Sequence, residues 1–454
     1  MVYDVVVVGA GIGGLTVGAL LAARGINVCV FERGSQVGGC VQRVEYSGFD
    51  FEPGMGVYTG WGSGEIFERV FSDLPVEIPQ SRALESDYVV RLPDGTDIRL
   101  RRDWMSFAEE LRNAFPESAN EAVAFYELID APSPAAGGTI ANYLAGTSLR
   151  FRRFIDCQLR AFIQTPIERC AFSAASNALS KLRQKHYSIV GGPATLTVSL
   201  EEAIKRCGGR VRLNSPVLRL AYDESGSATG VDLLSGERVV AKRAIVSNMT
   251  IWDTYGKLIG LNRTPPEVKK LLTKLIGSGA YLIYATIEES GLQRLPVERF
   301  LMCFDLSDAT SESSEITFAT SKQSTIGGKR PVTLKSNCSV NDWFTFQSSM
   351  DELEDWDQQA LETVWQQLHQ SAPELGGDIE VIETANPRSF YEDTRRKLGM
   401  VLGVEQTPDA VGASSFRTTL PNVYLVGDTV AAGSDLAAVT EVGLSLAQTI
   451  CQEM

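Results

Sequence analysis

The chain has 454 residues, 44% hydrophobic and 22% charged, with a formal net charge of -14. This length exceeds one ordinary core and implies two interleaved domains; the composition is that of a globular protein, and the acidic balance argues against a nucleic-acid binder. With no run of ~20 apolar residues, no membrane-spanning helix is expected.

Residues 4–33 are the most informative stretch. Residues 5–8 read as a buried strand, followed by the turn Gly9-Ala10-Gly11-Ile12-Gly13-Gly14. An apolar helix runs through Leu20 and Leu21 to Gly25, and residues 26–31 form a second strand leading to Glu32. The start carries Asp4, lacks a basic leader and is broken by glycines, so it is expected to be a strand rather than a signal peptide. Each part suits ADP. Gly9 permits the tight turn, Gly11 removes a side chain facing the pyrophosphate, and Gly14 lets the helix lie on the sheet. The helix N-terminus offers unpaired N–H groups and a positive dipole end to phosphate. Glu32 stands where an acid accepts hydrogen bonds from ribose hydroxyls. Gly38-Gly39 then permits close backbone approach.

Residues 88–100 alternate around Pro93-Asp94-Gly95 and predict a β-hairpin. Residues 104–182 are mostly helical in pattern, with a loop at 132–138. Gly191-Gly192-Pro193 leads into a helix, and residues 210–213 read as a strand. A hairpin is expected over 217–240, turning at 223–226, then a separate short buried strand at 244–248. Residues 281–404 alternate strand patterns with one charged helix at 350–370. The chain closes with an apolar strand ending at Gly427-Asp428 and a last helix from about Leu436. Strand-and-glycine chemistry therefore falls in three blocks. The expected organisation is a discontinuous nucleotide domain (1–75, 186–255 and 405–454) and a substrate domain (76–185 and 256–404), helical over 104–182.

The eight cysteines are scattered without a Cys-x-x-Cys pair, which speaks against a disulfide oxidoreductase or a zinc ribbon. A reducing, cytoplasmic setting fits this usage. The only histidines are His186 and His369, so no histidine-ligated metal is expected, and both read as satisfied or solvated side chains. Only one complete phosphate fingerprint is present, so one dinucleotide is expected to be tightly held. FAD is favoured because it stays bound through turnover. Asp428, at the carboxyl end of a buried strand, could accept a ribityl hydroxyl or hold a water on a flavin phosphate. The helix from Leu436 could aim N–H groups at the flavin C2 carbonyl, where negative charge develops on reduction.

On these residues the chain resembles the phytoene-desaturase branch of the FAD-dependent amine-oxidase-like flavoproteins, which includes carotenoid desaturases, carotenoid isomerases and retinol saturases. The resemblance covers nearly the whole chain and is strongest at its ends. It rests on the first fingerprint through Gly38-Gly39, on Phe49-Asp50-Phe51-Glu52-Pro53-Gly54, and on Tyr187 to Val217. Val246-Ser247-Asn248, Asn386-Pro387-Arg388-Ser389-Phe390 with Thr394, Gly399 and Met400, and Tyr424 to Gly443 complete it. It implies a Rossmann-type FAD domain of glutathione-reductase-like topology with an inserted α+β substrate domain holding an antiparallel sheet and a helical part. It also implies FAD contacts at Gly9, Gly11, Gly13, Gly14, Glu32, Arg33, Gly38, Gly39, Val217, Gly427, Asp428 and Leu436. The family often carries Pro-Gly after Gly-Asp, whereas this chain has Ala432-Gly433-Ser434-Asp435; that departure bears on substrate more than on cofactor.

The activity so implied is desaturation of a carotenoid or related isoprenoid by hydride transfer to flavin N5, with oxygen or quinone as electron acceptor. Placement of a C–H bond in a dry tunnel would supply most of the catalysis. No catalytic base is assigned; Glu441, one turn into the last helix, reads as structural. Alternatives on the same scaffold are a redox-neutral polyene isomerase or a saturase, an amine oxidase, and a non-enzymatic prenyl-binding escort. A long isoprenoid must leave a bilayer, and Arg150-Phe151-Arg152-Arg153-Phe154 with Arg160 and Phe162 offers a basic, aromatic patch for peripheral membrane contact. Lys269, Lys270 and Lys274 beside Leu271, Leu272, Leu275 and Ile276 offer a second. The competing reading of both is a core-facing helix with a solvated charged side.

Overall fold

The computed structural model describes residues 1–54, 56–131, 137–304, 315–320, 325–344, 350–413, 415–433 and 435–454. Met55, Ser434 and positions 132–136 of the expected loop lie outside the described residues.

The first strand, Val2–Val8, is a nearly continuous apolar run because both its faces are covered. Val5 and Val7 pack into one hydrophobic cluster with the first helix, while Val6 and Val8 pack into another on the opposite face. Arg210–Arg212, Val28–Phe31, Val2–Val8, Arg238–Ser247 and Val423–Leu425 lie side by side in that order, all parallel. Their carboxyl ends open on one side, where doubly wound sheets bind ligands. Helices Ile12–Ala23, Ala194–Arg206 and Leu436–Glu453 cover one face through Leu15, Leu20, Leu200, Val439 and Leu444.

The hairpin and the separate strand expected over 217–248 are one meander. Val217–Tyr222 and Ala228–Leu233 form the hairpin, and Arg238–Ser247 is a single strand. It pairs antiparallel with the hairpin at its start and parallel with Val2–Val8 along its length. A register shift between Tyr3 and Val5 absorbs Lys242 and Arg243, which remain exposed. That charged pair made the run read as two elements.

The second sheet runs Ile379–Ala385, Gly279–Glu288, Lys329–Cys338, Glu315–Thr320, Arg299–Cys303, Val89–Arg91, Asp97–Arg99. It is antiparallel except where Val89–Arg91 meets Arg299–Cys303. The expected hairpin at 88–100 is its edge. Alternation sends Ile283 and Leu334 into a cluster under the helix Met350–Ser371, and sends Leu282 and its cross-strand partner Lys335 to the other face. The architecture is thus mixed α/β: a Rossmann-like sheet joined to an antiparallel one, with helices Trp104–Ala114, Ala119–Asp130, Leu149–Ile163 and Phe172–Leu182 packed as a group.

This packing corrects the membrane reading of the basic patch. Phe151 and Phe154 are fully buried among Phe107, Phe115 and Tyr126, so they do not enter a bilayer. Arg150 is engaged with Asp94, Thr96 and the Ala114 carbonyl, and Arg160 pairs with Asp156 at 2.7 Å. In the second candidate, Pro266–Lys274, Val268 and Leu272 turn toward the Rossmann sheet, as does Leu275 just beyond it. Among the described residues no helix is long and apolar enough to cross a membrane. Two of the scattered cysteines, Cys157 and Cys303, form a disulfide across 146 residues of sequence, tying Leu149–Ile163 to Arg299–Cys303.

Two measurements check this architecture. A Cβ on Gly14 would stand 2.3 Å from the Gly9 carbonyl oxygen, so Gly14→Ala forces the helix off the strand and costs about 1–3 kcal/mol in urea unfolding; an unchanged midpoint contradicts that contact. Denatured without reductant, the chain should titrate the six thiols of its free cysteines; a count of every cysteine as thiol contradicts the cross-link.

Candidate dinucleotide and substrate site

A cavity of about 430 Å³ opens at the carboxyl ends of the parallel strands and extends to the second sheet. Gly9, Gly11, Glu32, Arg33, Gly38, Gly39, Val217, Gly427, Asp428 and Leu436 all line it. Gly13 and Gly14 do not line it; they are packing positions. Gly14 brings the helix onto the strand, and a Cβ on Gly13 would meet Asn248 Oδ1 at 2.9 Å and Val426 at 3.0 Å.

The glycine turn is held by backbone. Gly9 has φ +98° and donates to the Phe31 carbonyl at 2.8 Å. Gly38 donates to the Ala10 carbonyl at 2.9 Å, and Gly38 and Gly39 have φ +121° and +59°, values that favour glycine. The first helix has no side-chain cap at Gly11, so its first-turn N–H groups are available to an anion. Glu32 accepts Ala10 N–H at 2.8 Å on one carboxylate oxygen and Gly34 N–H at 2.7 Å on the other. Each oxygen keeps a second lone-pair direction for a hydroxyl. Arg33 is exposed and bonds the Asp393 carbonyl.

At the other chain end, Gly427 has φ +127° and Asp428 forms a bidentate pair with Arg396, 2.9 and 2.7 Å to its two oxygens. Each Asp428 oxygen keeps a second lone-pair direction beside this ion pair. The last helix begins at Leu436 as expected, and its cap is Asp435. One Asp435 oxygen accepts Ala438 N–H at 2.7 Å and the other accepts Lys181 Nζ at 2.8 Å. Glu441 faces outward and pairs with Arg69 at 3.1 Å.

The cavity's far end is apolar, lined by Val57, Ala280, Leu282, Val401 and Leu402. Lys335 enters there, donating to the Ala161 carbonyl at 2.9 Å; burial lowers its pKa against the opposing pull of Glu315. A smaller cavity of about 50 Å³ shares Val57 and Asp435 with the large one and is lined by Phe162, Ile163, Ala178 and Leu182. His186, also on its wall, is buried, and desolvation lowers its pKa to about 4. It is neutral at pH 7 and meets the Lys181 carbonyl at 3.2 Å, the satisfied histidine expected from the sequence.

Asn248, Arg396 and Lys335 belong to this site but were not singled out in the sequence. Asn248 follows a strand and Arg396 follows Thr394, so each lay inside or beside a segment of family resemblance without a spacing signal. Lys335 could be found only by knowing which face of its strand meets the cavity.

Residues 7–74 match the NAD(P)-binding Rossmann-like domain family. A chloroplastic prolycopene isomerase of Arabidopsis thaliana is 25% identical over 504 aligned residues, covering 100% of this chain and 83% of that protein. An all-trans-retinol 13,14-reductase of Danio rerio is 25% identical over 336 residues, 64% of this chain and 55% of that protein. Among solved structures, an oxidoreductase from Methanosarcina mazei superposes with a TM-score of 0.70 at 17% identity, over 99% of this chain and 100% of that one. A putrescine oxidase bound to putrescine superposes with a TM-score of 0.68 at 18% identity, over 100% and 99%; these two likenesses are of fold. The chain is thus similar over its whole length to a prolycopene isomerase, matches a Rossmann-like dinucleotide-binding domain at its amino-terminal end, and shares the fold of a putrescine oxidase.

Removing the Glu32 carboxylate tests the dinucleotide end. Glu32→Ala should weaken FAD binding by about 10-fold or more, the scale of a lost charged hydrogen bond, in a fluorescence titration. Full occupancy at low added FAD contradicts the assignment.

Proposed function

We propose that this protein holds FAD along the large cavity and acts on a conjugated isoprenoid polyene, changing double-bond geometry without net oxidation. The observation that carries this reading is the cavity itself, which joins a phosphate-suited glycine turn to an apolar wall of Ala280, Leu282 and Val401. The residues fit FAD: the uncapped helix N-terminus suits a pyrophosphate, Glu32 suits a ribose, and the opening at Leu436 leaves room for a ring system.

A bound flavin would supply two-electron chemistry. The chain's own residues place and shelter the polyene. Phe49, Phe51 and Tyr284 pack in one apolar cluster with Ala280 and Leu282 and keep water from that wall. The small cavity extends the apolar path between Phe172–Leu182 and the segment before the last helix. Lys335 is the ionisable group at that apolar end, and its lowered pKa eases release of its proton.

Isomerisation is preferred over desaturation because two relatives aligned along this entire chain are prolycopene isomerases. Desaturation is the second reading, and the sequence resemblance favours it; it would need oxygen or a quinone to re-oxidise the cofactor. Anaerobic incubation of FAD-loaded protein with a poly-cis carotenoid, once with the flavin oxidised and once with it reduced, distinguishes them. The expected result is a new geometric isomer at unchanged mass. Loss of two hydrogens by the substrate, with bleaching of oxidised flavin, points to desaturation, and peroxide formed from putrescine in air points to amine oxidation.

A further inference from the structure

We infer that Arg396 is a phosphate-binding residue of the dinucleotide groove, held in place by Asp428 and by a strained strap of chain. The inference rests on the cavity taking a dinucleotide. Arg396 lines that cavity with Gly11, Gly38 and Gly39. Its Nε donates to the Met400 carbonyl at 2.7 Å and its Nη2 donates to both oxygens of Asp428. Among the described residues Nη1 makes no hydrogen bond, so two of the five guanidinium N–H donors remain available. Burial opposes the charge, but the carboxylates of Asp428 and Asp253 outweigh it and keep the guanidinium protonated.

The backbone around it is unusual. Arg395, Leu398 and Leu402 have φ +55°, +51° and +64°, a left-handed region that costs energy for residues with a Cβ. Glycines lock the same strap. A Cβ on Gly399 would lie 1.8 Å from the Pro387 oxygen, and one on Gly403 would lie 2.5 Å from the Asp428 oxygen. Lys397 N–H donates to Asp253 at 2.9 Å. Such strain persists only where the surroundings over-determine it, and here it sets one guanidinium against the groove.

The location selects the ligand group. The helix Pro387–Thr394, just before Arg396, packs on the turn Gly39–Val41, Arg33 bonds the Asp393 carbonyl beside it, and a Cβ on Gly39 would lie 3.5 Å from Gly11 Cα. The strap that carries the guanidinium therefore meets the turn after Gly38, beside the uncapped helix N-terminus. Planar N–H donors there match phosphate oxygens. The same pairing holds Asp428 still.

The test compares FAD with riboflavin, which lacks phosphate, in equilibrium titrations of flavin-free protein. Arg396→Met should weaken FAD by about 10- to 100-fold, leave riboflavin affinity unchanged, and flatten the salt dependence of FAD binding. Arg396→Gln, which can still donate to Asp428, should show the same selective loss and decides the matter if the methionine variant does not fold. Equal losses for both flavins, or no loss for either, overturn the role of Arg396. Wild-type protein that binds riboflavin no more weakly than FAD overturns the dinucleotide reading on which it rests.

Discussion

Asn248 sits where three distant stretches of chain meet, and the site exists because the positions facing it have no side chain. A Cβ on Gly11 would come within 2.5 Å of its amide nitrogen, and Cβ atoms on Gly13 and Gly427 would come within 2.9 and 3.3 Å of its amide oxygen. Its backbone N–H donates to the Val8 carbonyl at 2.8 Å. The ends of the first strand, of Arg238–Ser247 and of the strand before Gly427 are thereby drawn to one point. The glycine turn thus has two jobs. It shapes a groove for a ligand, and it admits the Asn248 side chain where three strand ends converge.

Seen from that point, the cavity has two chemical ends. Near the turn are backbone N–H groups, the Glu32 carboxylate and the Arg396–Asp428 pair. Toward the second sheet the wall is aliphatic, and Lys335 is held there by a carbonyl of the helix Leu149–Ile163. That helix is bound to the antiparallel sheet by the Cys157–Cys303 disulfide and by Asn337, which donates to the Arg160 carbonyl at 2.6 Å. The wall that would shape a substrate is therefore braced independently of the glycine turn.

The strand–turn–helix at the amino terminus was legible because each residue there satisfies a local rule: a β-branched strand, glycines at the turn, an acid after the second strand. The 88–100 hairpin and the last helix were legible for the same reason, since Pro93-Asp94-Gly95 and the apolar period from Leu436 act over a few residues. What escaped depends on residues far apart. The burial of Phe151 and Phe154 is set by Phe107 and Tyr126 on other helices, so an arginine-rich helix read as a surface patch. The Cys157–Cys303 bond and the hold of Arg396 on Asp428 cross long stretches of sequence with no motif. Local chemistry located the dinucleotide end, whereas tertiary contacts determine how Asp428 is used and which face of the second sheet meets a substrate.

The central claim is that one cavity, built from both chain ends, carries a single adenine-linked flavin. The most direct measurement is chemical identification and quantitation of whatever cofactor the purified protein retains after saturation with FAD, NAD and NADP together and removal of unbound ligand. The account predicts one FAD per chain, with an oxidised-flavin absorption spectrum. A colourless protein, or one retaining a nicotinamide dinucleotide in place of FAD, contradicts it.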